Sequence, residues 1–306
     1  MTPEAFAALI AATLAAGTPL LLAATGLLVN ERAGVLNLGA EGMMLMAAVA
    51  GFAAGVESGS LAVGFLAGML AGVGFAGIFA LLAVGLSTNQ YATGLALTLF
   101  GTGLSAFIGL PYVGRATAFD AAVKLPFLSD IPWLGTALFS QHIMVYLAWL
   151  LTAFVAWVLL RTKTGLVIRA VGESPDAAHA LGYSVRSIRI MAVLFGGACC
   201  GLAGAFLSLV YTPLWVEGMV AGRGWIALAL TTFATWRPAR VMLGAYLFGS
   251  VTMIQFYLQG QGVAIASQLL SMLPYLATII VLVLISSNAS FIRLNMPASL
   301  GKPFKP

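Results

Sequence analysis

Charged side chains are scarce in this sequence. Only 8% of its 306 residues are Asp, Glu, Lys or Arg, whereas 61% are hydrophobic and the mean hydropathy is +1.04. Soluble domains carry roughly 25% charged residues, so the composition excludes an ordinary soluble domain. Several apolar runs approach or exceed the roughly 20 residues with which a helix crosses a bilayer. Because these runs are continuous rather than alternating, they predict an all-α, polytopic transmembrane helix bundle and not a membrane β-barrel.

Residues that bind metals or act as nucleophiles are scarce as well. The only cysteines are the neighbours Cys199 and Cys200, and the only histidines, His142 and His179, lie far apart. Neither pair has the spacing of a zinc site, and adjacent cysteines form a disulfide only with strained geometry. We therefore interpret both cysteines as small core residues, and we expect neither a metal site nor a histidine-based hydrolase.

Nucleotide-binding motifs are missing too. A phosphate-binding loop ends in Gly-Lys-Ser/Thr, but the only Gly-Lys pair, Gly301-Lys302, is followed by Pro303. Residues 222–227, GRGWIA, match the dinucleotide pattern G-x-G-x-x-A in form only, since no predicted strand precedes them. The chain is therefore expected to hold no cofactor and not to be an enzyme.

What the sequence does contain is a series of apolar segments. They predict about nine spans, with a range of roughly eight to ten, in a single transmembrane domain over residues 1–306. The segments are 6–29, 38–56, 60–86, 91–110, 142–160, 190–212, 225–236, 241–258 and 264–286. Segment 225–236 is too short to cross unless it is tilted, broken or preceded by a re-entrant piece.

Lysine and arginine are distributed unevenly between the loops. Of the 14 Lys and Arg residues, nine crossings leave only Arg115, Lys124 and Arg223 on one side, and the positive-inside rule makes the other side cytoplasmic. This places the N-terminus and the loop 111–141 outside, and the C-terminus and the loop 161–189 inside. Membrane topology thus accounts for the pI of 9.4, and no nucleic-acid partner is expected.

The cytoplasmic loop contains the signals of a short helix. Ser174 is a favourable N-cap, Pro175 suits the first helical position, and Asp176 lies near the positive end of the helix dipole. Gly182 stands where a left-handed C-terminal cap would fall, so the helix is predicted to begin at Pro175 and to end just before Gly182. Such a short helix is marginal in water alone and needs something to pack against.

Polar residues beside the apolar segments are candidates for a solute path, because charge in hydrocarbon is costly and persists for function or tight pairing. Glu41 either caps a helix start through its carboxylate or lines the route of a polar solute. Glu31 and Arg32 are interpreted as an interfacial pair at a helix end, and Glu217 and Arg223 flank glycines before the short segment. The path candidates are Asn37, Glu41, Asn89, Thr93, Glu217 and Arg223.

Two patterns concern the packing of the bundle. Small residues at four-residue spacing let membrane helices approach closely. Such glycines are Gly64, Gly68 and Gly72 in one segment, and Gly197 and Gly201 in another. The sequence LALTLF at 95–100 recurs as LALTTF at 228–233, which suggests an internal duplication of the kind found in transport proteins.

Three stretches carry a resemblance to a known family. They are NERAGVLNLGAEGMMLMAA (30–48), TKTGLVIRAVGESPDAAHALGYSVRSIRIMAVLFGGACCGLAGAFLSL (162–209) and GMVAGRGWIALALTTFATWRP (218–238). In this order they resemble the permease subunits of bacterial ABC importers of the branched-chain amino acid and simple-sugar type, and within that group the nucleoside-uptake branch. The match covers most of the chain and is weak in the loop 111–141.

The resemblance implies a coupling helix that docks in a groove of an ABC ATPase subunit. It assigns this role to Glu173, Ser174, Pro175, Asp176, Ala177, Ala178, Leu181 and Gly182. Ala177, Ala178 and Leu181 would form the face that contacts the ATPase, whereas His179 would face solvent. ATP and Mg²⁺ would bind to that partner, and this chain would be a transport subunit that supplies a gated path.

Further partners, a location and a solute class are implied in the same way. A second related permease chain would complete a heterodimer, and an extracytoplasmic solute-binding protein of the basic membrane lipoprotein type would dock on outer loops that include 111–141. The location would be the bacterial inner membrane. The solute would be a nucleoside or a related small polar molecule, and bases, riboflavin and sugars stay open. Tyr211, Trp215 and Trp225 would either stack on a nucleobase or belong to an aromatic belt.

An alternative from another class is a secondary transporter driven by an ion gradient. Glu41 or Glu217 would then be the site of the proton or sodium ion. An intramembrane enzyme is a more distant alternative, for which the sequence offers no plausible pair of nucleophile and base.

Overall fold

The structure, a computed structural model, describes residues 3–117, 134–260 and 295–304 together with a few single residues between these ranges. In this part of the chain every regular element is helical, which confirms the all-α prediction. The helices are α1 Pro3–Arg32, α2 Ala40–Ser58, α3 Leu61–Phe79, α4 Gln90–Gly109, α5 Leu134–Leu138, α6 Ile143–Arg161, α7 Lys163–Glu173, α8 Pro175–Ala180, α9 Val185–Phe206, α10 Arg223–Phe233 and α11 Pro238–Gly260. A π-helical turn extends α3 over Ala80–Gly85 and α9 over Leu207–Tyr211.

Seven helices of the described part are long and apolar enough to cross a membrane, so the protein is a multi-pass membrane protein. They are Glu4–Arg32, Ala40–Ser58, Leu61–Gly85, Gln90–Tyr112, Ile143–Arg161, Val185–Tyr211 and Pro238–Gly260. The expected count of about nine spans is not confirmed. Segment 225–236 overlaps α10, which has only 11 residues, and segment 264–286 lies largely outside the described residues.

Several helix ends follow signals that stand next to them in the sequence. The side chain of Asn89 caps α4, and that of Thr162 accepts a hydrogen bond from Gly165 at the start of α7. Gly59, with φ at 65°, ends α2 in the left-handed conformation. Local capping therefore fixes where these helices begin and end.

The two ends of the bundle differ in charge. At one end, here called the basic end, Arg32 donates to the carbonyl oxygens of Trp236 (2.8 Å) and Asn295 (3.3 Å). The described basic residues in the helix ends and turns on this side are Arg32, Arg161, Lys163, Arg169, Arg186, Arg189, Arg237, Arg240 and Lys302. At the opposite end, residues after α4 meet residues after α9, and Val113 forms a bridge with Trp215. This distribution agrees with a cytoplasmic basic end. Arg293, Lys305 and Lys124 lie outside the described residues.

Helices α2 and α9 lie in the centre of the bundle. Phe52 of α2 and Phe206 of α9 are completely buried. Large apolar side chains on the outer helices are instead exposed, among them Leu99 of α4, Leu150 of α6 and Leu243 of α11. Exposed leucines on membrane-spanning helices are suited to contact with lipid or with another apolar surface.

The glycine pattern forms the contact between α3 and α9, as predicted. A Cβ atom at Gly72 would lie 2.3 Å from the carbonyl oxygen of Gly197, and one at Gly201 would lie 2.6 Å from that of Gly68. The two backbones are therefore in direct contact, and a side chain at either position would force the helices apart.

The repeated six-residue sequence occupies equivalent places in α4 and α10. Leu95 lies five residues after Gln90, the first residue of α4, and Leu228 lies five residues after Arg223, the first residue of α10. Helix α4 leads away from the basic end and α10 leads towards it, and a π-helical turn ends the helix before each of them, at Gly85 and at Tyr211. These shared features support a repeat of inverted orientation.

Candidate functional site

The connection between α9 and α10 is a broken crossing. It starts at the opposite end, where Ala116 bridges to Leu214, and it returns to the basic end at Trp236. Residues 212–222 are irregular, and α10 provides only the last part of the path. Because 11 helical residues span about 16 Å, α10 begins roughly halfway through a hydrocarbon core of about 30 Å. Of the three alternatives for the short segment, an irregular stretch before a short helix is the one that this geometry resembles.

Glu41 holds the start of α10. Its buried carboxylate lies in the first turn of α2 and accepts hydrogen bonds from the backbone N–H groups of Gly222 (2.8 Å) and Gly224 (2.7 Å). A carboxylate is favourable at the positive end of a helix, and here it satisfies donors that the helix itself leaves unpaired. Glu41 therefore caps a helix start, as one of the two hypotheses had it, but the helix is α10 and not its own helix α2.

Glycine stands at most positions where the backbone of this junction takes a positive φ angle or approaches α2 closely. Gly218, Ala221 and Gly222 all have positive φ angles, at 68°, 50° and 81°. A Cβ atom at Gly224 would lie 2.5 Å from the backbone nitrogen of Glu41 and 2.6 Å from its Cα atom. The contact between α10 and α2 is therefore one of backbone against backbone, without room for adjustment.

Glu31 holds the other end of α10. Its carboxylate, 1% exposed, accepts hydrogen bonds from the hydroxyl of Thr231 (2.7 Å) and the indole N–H of Trp236. Thr235 and Trp236 both have positive φ angles, near 50°, although neither is glycine. The interpretation of Glu31 and Arg32 as an interfacial pair is therefore wrong, because the Glu31 carboxylate is buried against α10. The sequence contains no signal for this contact, whose partners lie 200 and 205 residues away.

Arg223 opens α10 beside an aromatic ring. Its guanidinium donates to the carbonyl oxygens of Met219 and Val220, both at 3.2 Å, and lies 5.6 Å from the ring centre of Tyr211. Trp225, two residues further on, is 37% exposed. Arg223 was expected on the outer side, but α10 places it at about half the depth of the bundle. This group can therefore offer a cation and aromatic surface to a polar solute.

Two other predicted residues of this region have different surroundings. Trp215 is 1% exposed and packs on Gly109, where a Cβ atom would lie 2.0 Å from the indole nitrogen. Trp215 is thus a packing residue, and its buried ring neither faces a solute path nor belongs to an exposed aromatic belt. Glu217 is exposed on the irregular stretch before α10.

The remaining path candidates make local hydrogen bonds. The side-chain oxygen of Asn37 accepts from the N–H of Gly39 (2.9 Å), and that of Asn89 accepts from two amides in the first turn of α4 (3.0 and 3.1 Å). The hydroxyls of Thr93 and Thr88 are 2.8 Å apart. Asn37 therefore shapes the turn before Glu41, whereas Asn89 and Thr93 organise the start of α4 at the basic end. The structure thus brings only Asn37, Glu41 and Arg223 to the start of α2 and α10.

The predicted helix in the cytoplasmic loop is α8. Ser174 caps it by accepting from the N–H of Ala177 (3.4 Å), and Gly182 follows it with φ at 88°. The helix ends at Ala180, one residue earlier than predicted, and Leu181 is its C-cap. The helix α7 before it was not predicted, although its sequence is amphipathic.

The faces of α8 differ from the prediction at one position. Ala177 is exposed and Leu181 is 77% exposed, whereas Ala178 is 2% exposed and packs against Val171 and Phe304 of the same chain. Successive residues of a helix point about 100° apart, so Ala177 and Ala178 do not share a narrow face. The prediction that Ala178 faces a partner is therefore wrong, and Ala177 and Leu181 form the accessible side.

Both cysteines are buried, which confirms their interpretation as core residues. Cys199 lies against Gly26, where a Cβ atom would be 2.5 Å from that of the cysteine. His142 caps α6, because its Nδ1 atom accepts from the N–H of Met144 (3.1 Å). Among the described residues, no group of three His, Cys, Asp or Glu residues is placed to hold a metal ion.

Comparison with known proteins identifies relatives along almost the whole chain. A family model described as "Branched-chain amino acid transport system / permease component" matches residues 9–285. A putative glucose ABC transporter permease protein of Haloferax volcanii is 40% identical, over 96% of this chain and 96% of its own length. A guanosine ABC transporter permease protein of Bacillus subtilis is 31% identical (97% and 96%), and a nucleoside ABC transporter permease protein of Lactococcus lactis is 32% identical (92% and 93%). No solved structure matches the chain.

Proposed function

Because the chain belongs to the family of permease components of branched-chain amino acid transport systems, we propose that it is the membrane permease subunit of an ATP-driven importer. The importer takes up nucleosides or a related small polar solute across the bacterial inner membrane. Two of the relatives carry names that specify guanosine or nucleosides, which supports this solute class. The 40% identity to a protein named as a putative glucose permease favours a sugar as the second candidate.

The observation that carries the proposal is the pair of hydrogen bonds by which the Glu41 carboxylate holds Gly222 and Gly224 at the start of α10, here called the clamp. Helix α10 starts within the bundle. Transporters bind their solutes where helices are interrupted, because the free backbone groups and helix ends face the site. Here the interruption lies between residues 212 and 222; Arg223 and Tyr211 lie together at its inner end, and the exposed Trp225 follows in the first turn of α10. These residues and Glu217 form the proposed solute path, and α10 is its gate.

The clamp also bears on the ion-gradient alternative. Both carboxylate oxygens of Glu41 are bonded to backbone N–H groups, which are donors and do not bind cations. Glu217 is exposed and is not part of a cluster of three acidic or metal-binding residues among those described. The geometry therefore favours the ATP-driven importer.

Helix α8 is the proposed coupling helix. It lies at the basic end, it is capped at both ends, and it presents Leu181 with 77% of its surface exposed. An exposed leucine beside an exposed alanine is suited to a hydrophobic groove. The ATPase subunit that provides this groove binds ATP and Mg²⁺, and its closure moves α8.

Two further partners complete the proposed importer. A second related permease chain forms a heterodimer with this one, and a solute-binding protein of the basic membrane lipoprotein type docks at the opposite end, on surfaces that include the loop 111–141. The exposed apolar faces of α4, α6 and α11 leave room for the permease contact as well as for lipid.

Reconstitution tests the proposal. Liposomes that contain the complete complex are given the binding protein, radiolabelled guanosine or glucose, and either ATP or a nonhydrolysable analogue. We expect uptake only with ATP, and competition by the preferred solute. Uptake by this chain alone under a proton gradient would contradict the proposal and support the secondary transporter.

Leu181 provides a variant for the coupling helix. Leu181→Asp is expected to weaken binding of the ATPase about tenfold, since it places a charge in an apolar contact, whereas Leu181→Met keeps the contact. The readout is the amount of ATPase that copurifies with the permease. Equal recovery with both variants would contradict the role of Leu181.

A further inference from the structure

Residues 295–304, here called the C-terminal strap, lie across the basic end of the bundle. The strap touches several separate parts of the chain. Ser299 contacts Gly172 at the end of α7, Gly301 contacts Gly34 between α1 and α2, and the carbonyl of Lys302 accepts a hydrogen bond from Arg189 of α9. Phe304 packs beneath α8.

A buried arginine ties the strap to the bundle. Arg189 is 2% exposed, and its guanidinium donates to the carbonyl oxygens of Ala33 (3.1 Å) and Lys302 (3.0 Å) and to the hydroxyl of Ser299 (3.0 Å). Burying a guanidinium is costly unless its donors are satisfied. All three nitrogen atoms of this guanidinium have an acceptor, and together they join α9, the turn after α1 and the strap.

Ser299 fits this junction without spare volume. Its hydroxyl donates to the carbonyl oxygen of Gly172 (2.7 Å), and its own N–H donates to the same oxygen (3.0 Å). A Cβ atom at Gly34 would lie 2.4 Å from the Ser299 hydroxyl and 2.8 Å from the Arg189 guanidinium. The strap and the turn after α1 are therefore packed rigidly against each other.

The end of the strap supports the inner face of α8. The ring of Phe304, 8% exposed, packs with Val171, Ala178 and Val185, and it lies 5.6 Å from the ring of His179 in an edge-to-face arrangement. A displacement of α8 towards the bundle therefore presses on Phe304.

The other side of the strap leads to the start of α2. Gly301 donates to the carbonyl of Gly34 (3.2 Å), and the side chain of Gln90 contacts both the carbonyl of Lys302 (3.5 Å) and the N–H of Leu36 (2.8 Å). Leu36 lies five residues before Glu41, whose carboxylate holds α10. Contacts thus run from α8 through the strap to Leu36, and the chain itself leads from there to Glu41.

We propose that the C-terminal strap transmits the movement of α8 to the turn between α1 and α2, and that Arg189, Ser299 and Phe304 are the positioning residues of this link. The inference rests on the proposed function, since it requires that an ATPase moves α8. Without the strap, α8 still docks, but its motion no longer reaches Glu41 and α10. The strap therefore sets how much solute is moved for each ATP hydrolysed.

The test measures this coupling ratio in the reconstituted complete complex, as moles of solute imported per mole of ATP hydrolysed. Phe304→Ala and Ser299→Ala are expected to lower the ratio about fivefold while the ATPase still copurifies and hydrolyses ATP, because contacts along such a link modulate coupling. Phe304→Leu, which refills most of the volume, should restore the ratio. Met296→Ala is the matched control, since Met296 lies on the strap and its side chain is 43% exposed.

The outcomes separate the link from the function on which it rests. Ratios of Phe304→Ala and Ser299→Ala equal to that of the unaltered chain would overturn the link. Loss of uptake and of hydrolysis in equal proportion would overturn it too, because the strap would then only shape the docking surface. Absence of ATP-driven uptake by the unaltered complex would instead overturn the proposed function.

A distance measurement tests the link in a chain whose strap is intact. Spin labels at Ala180 of α8, which is exposed, and at Leu36 in the turn between α1 and α2, which is partly exposed, report on the two sides of the strap. The link predicts that their separation changes by less than about 2 Å between the nucleotide-free and ATP-bound complexes, because both sides move as one body. A larger change would contradict it.

Discussion

Helices α4 and α10 share a sequence motif but start in different ways. Asn89 caps α4 from the adjacent position in the chain, whereas the equivalent residue before α10 is Gly222, which has no side chain to offer. The cap of α10 comes instead from Glu41, 181 residues away. The start of α4 is thus a local structure, while the start of α10 exists only as long as α2 and α10 stay together.

The threonines of the shared motif extend the comparison. Thr98 of α4 donates to the carbonyl of Leu38 (3.0 Å), and Thr231 of α10 donates to the carboxylate of Glu31 (2.7 Å). Both helices therefore use the same position to bind the end of α1 or the turn that follows it. Only α10 depends on carboxylates at both ends, and this is what makes it suited to be a gate.

The largest effect is expected from Gly224→Ala. The new Cβ atom would lie 2.5 Å from the backbone nitrogen of Glu41. A backbone atom cannot move aside as the end of a flexible side chain can. Overpacking costs about 1–3 kcal/mol, so uptake should fall roughly five- to hundredfold. Gly103→Ala in α4, where a Cβ atom meets nothing within 4 Å, is the control and should keep normal uptake. Equal activity of both variants would show that α10 and α2 are not in contact.

A smaller loss is expected from Glu41→Gln. The amide has the shape of the carboxylate, but it presents only one acceptor oxygen to the N–H groups of Gly222 and Gly224 and removes the charge. A buried unpaired donor costs about 1–3 kcal/mol, so uptake should fall roughly tenfold at equal membrane levels. Unchanged uptake with Glu41→Gln would mean that the clamp has no role in transport.

Removing the charged side chains beside the irregular stretch 212–222 should reduce uptake less than altering Glu41. Arg223→Ala removes the cation over Tyr211 and is expected to reduce uptake about fivefold, a cation–π contact being worth about 0.5–2 kcal/mol. Glu217→Ala, at an exposed position, should reduce it less. Recovery of the ATPase on purification should stay normal in both. Normal uptake in both would remove these residues from the path.

The smallest effect is expected at the local cap. Asn89→Ala removes the acceptor for two amides of α4 and costs about 1 kcal/mol, but water at the basic end can replace it. Uptake should therefore fall less with Asn89→Ala than with Glu41→Gln. A larger loss of uptake with Asn89→Ala than with Glu41→Gln would contradict the claim that the start of α10 matters more for transport than the start of α4.

Features that depend on neighbouring residues were predictable from the sequence. The all-α class follows from continuous apolar runs, and the start of α8 follows from Ser174 and Pro175. The four-residue spacing of the glycines in α3 and α9 predicts close packing of these helices. In each case the physical cause, a capping group or a missing side chain, lies within a few residues of its effect.

Features that depend on distant residues were not predictable in this way. Nothing near Glu41 indicates that its partners are Gly222 and Gly224, and nothing near Ala178 indicates that Phe304 covers it. Tryptophan is a residue type that often binds ligands, yet the ring of Trp215 fills the space that a side chain at position 109 would occupy, which is free because residue 109 is glycine. Burial and partner choice come from the tertiary arrangement, which residue types alone do not determine.

The movement of α10 relative to α4 tests the account most directly. Spin labels are placed at Ala229 of α10 and at Leu99 on the exposed side of α4, in a complex that still transports; the buried native cysteines do not compete for the label. The account predicts that their separation changes by about 5 Å, as for one helical turn, between the nucleotide-free and ATP-bound complexes. A separation that stays the same in both states would contradict the role of α10 as the gate.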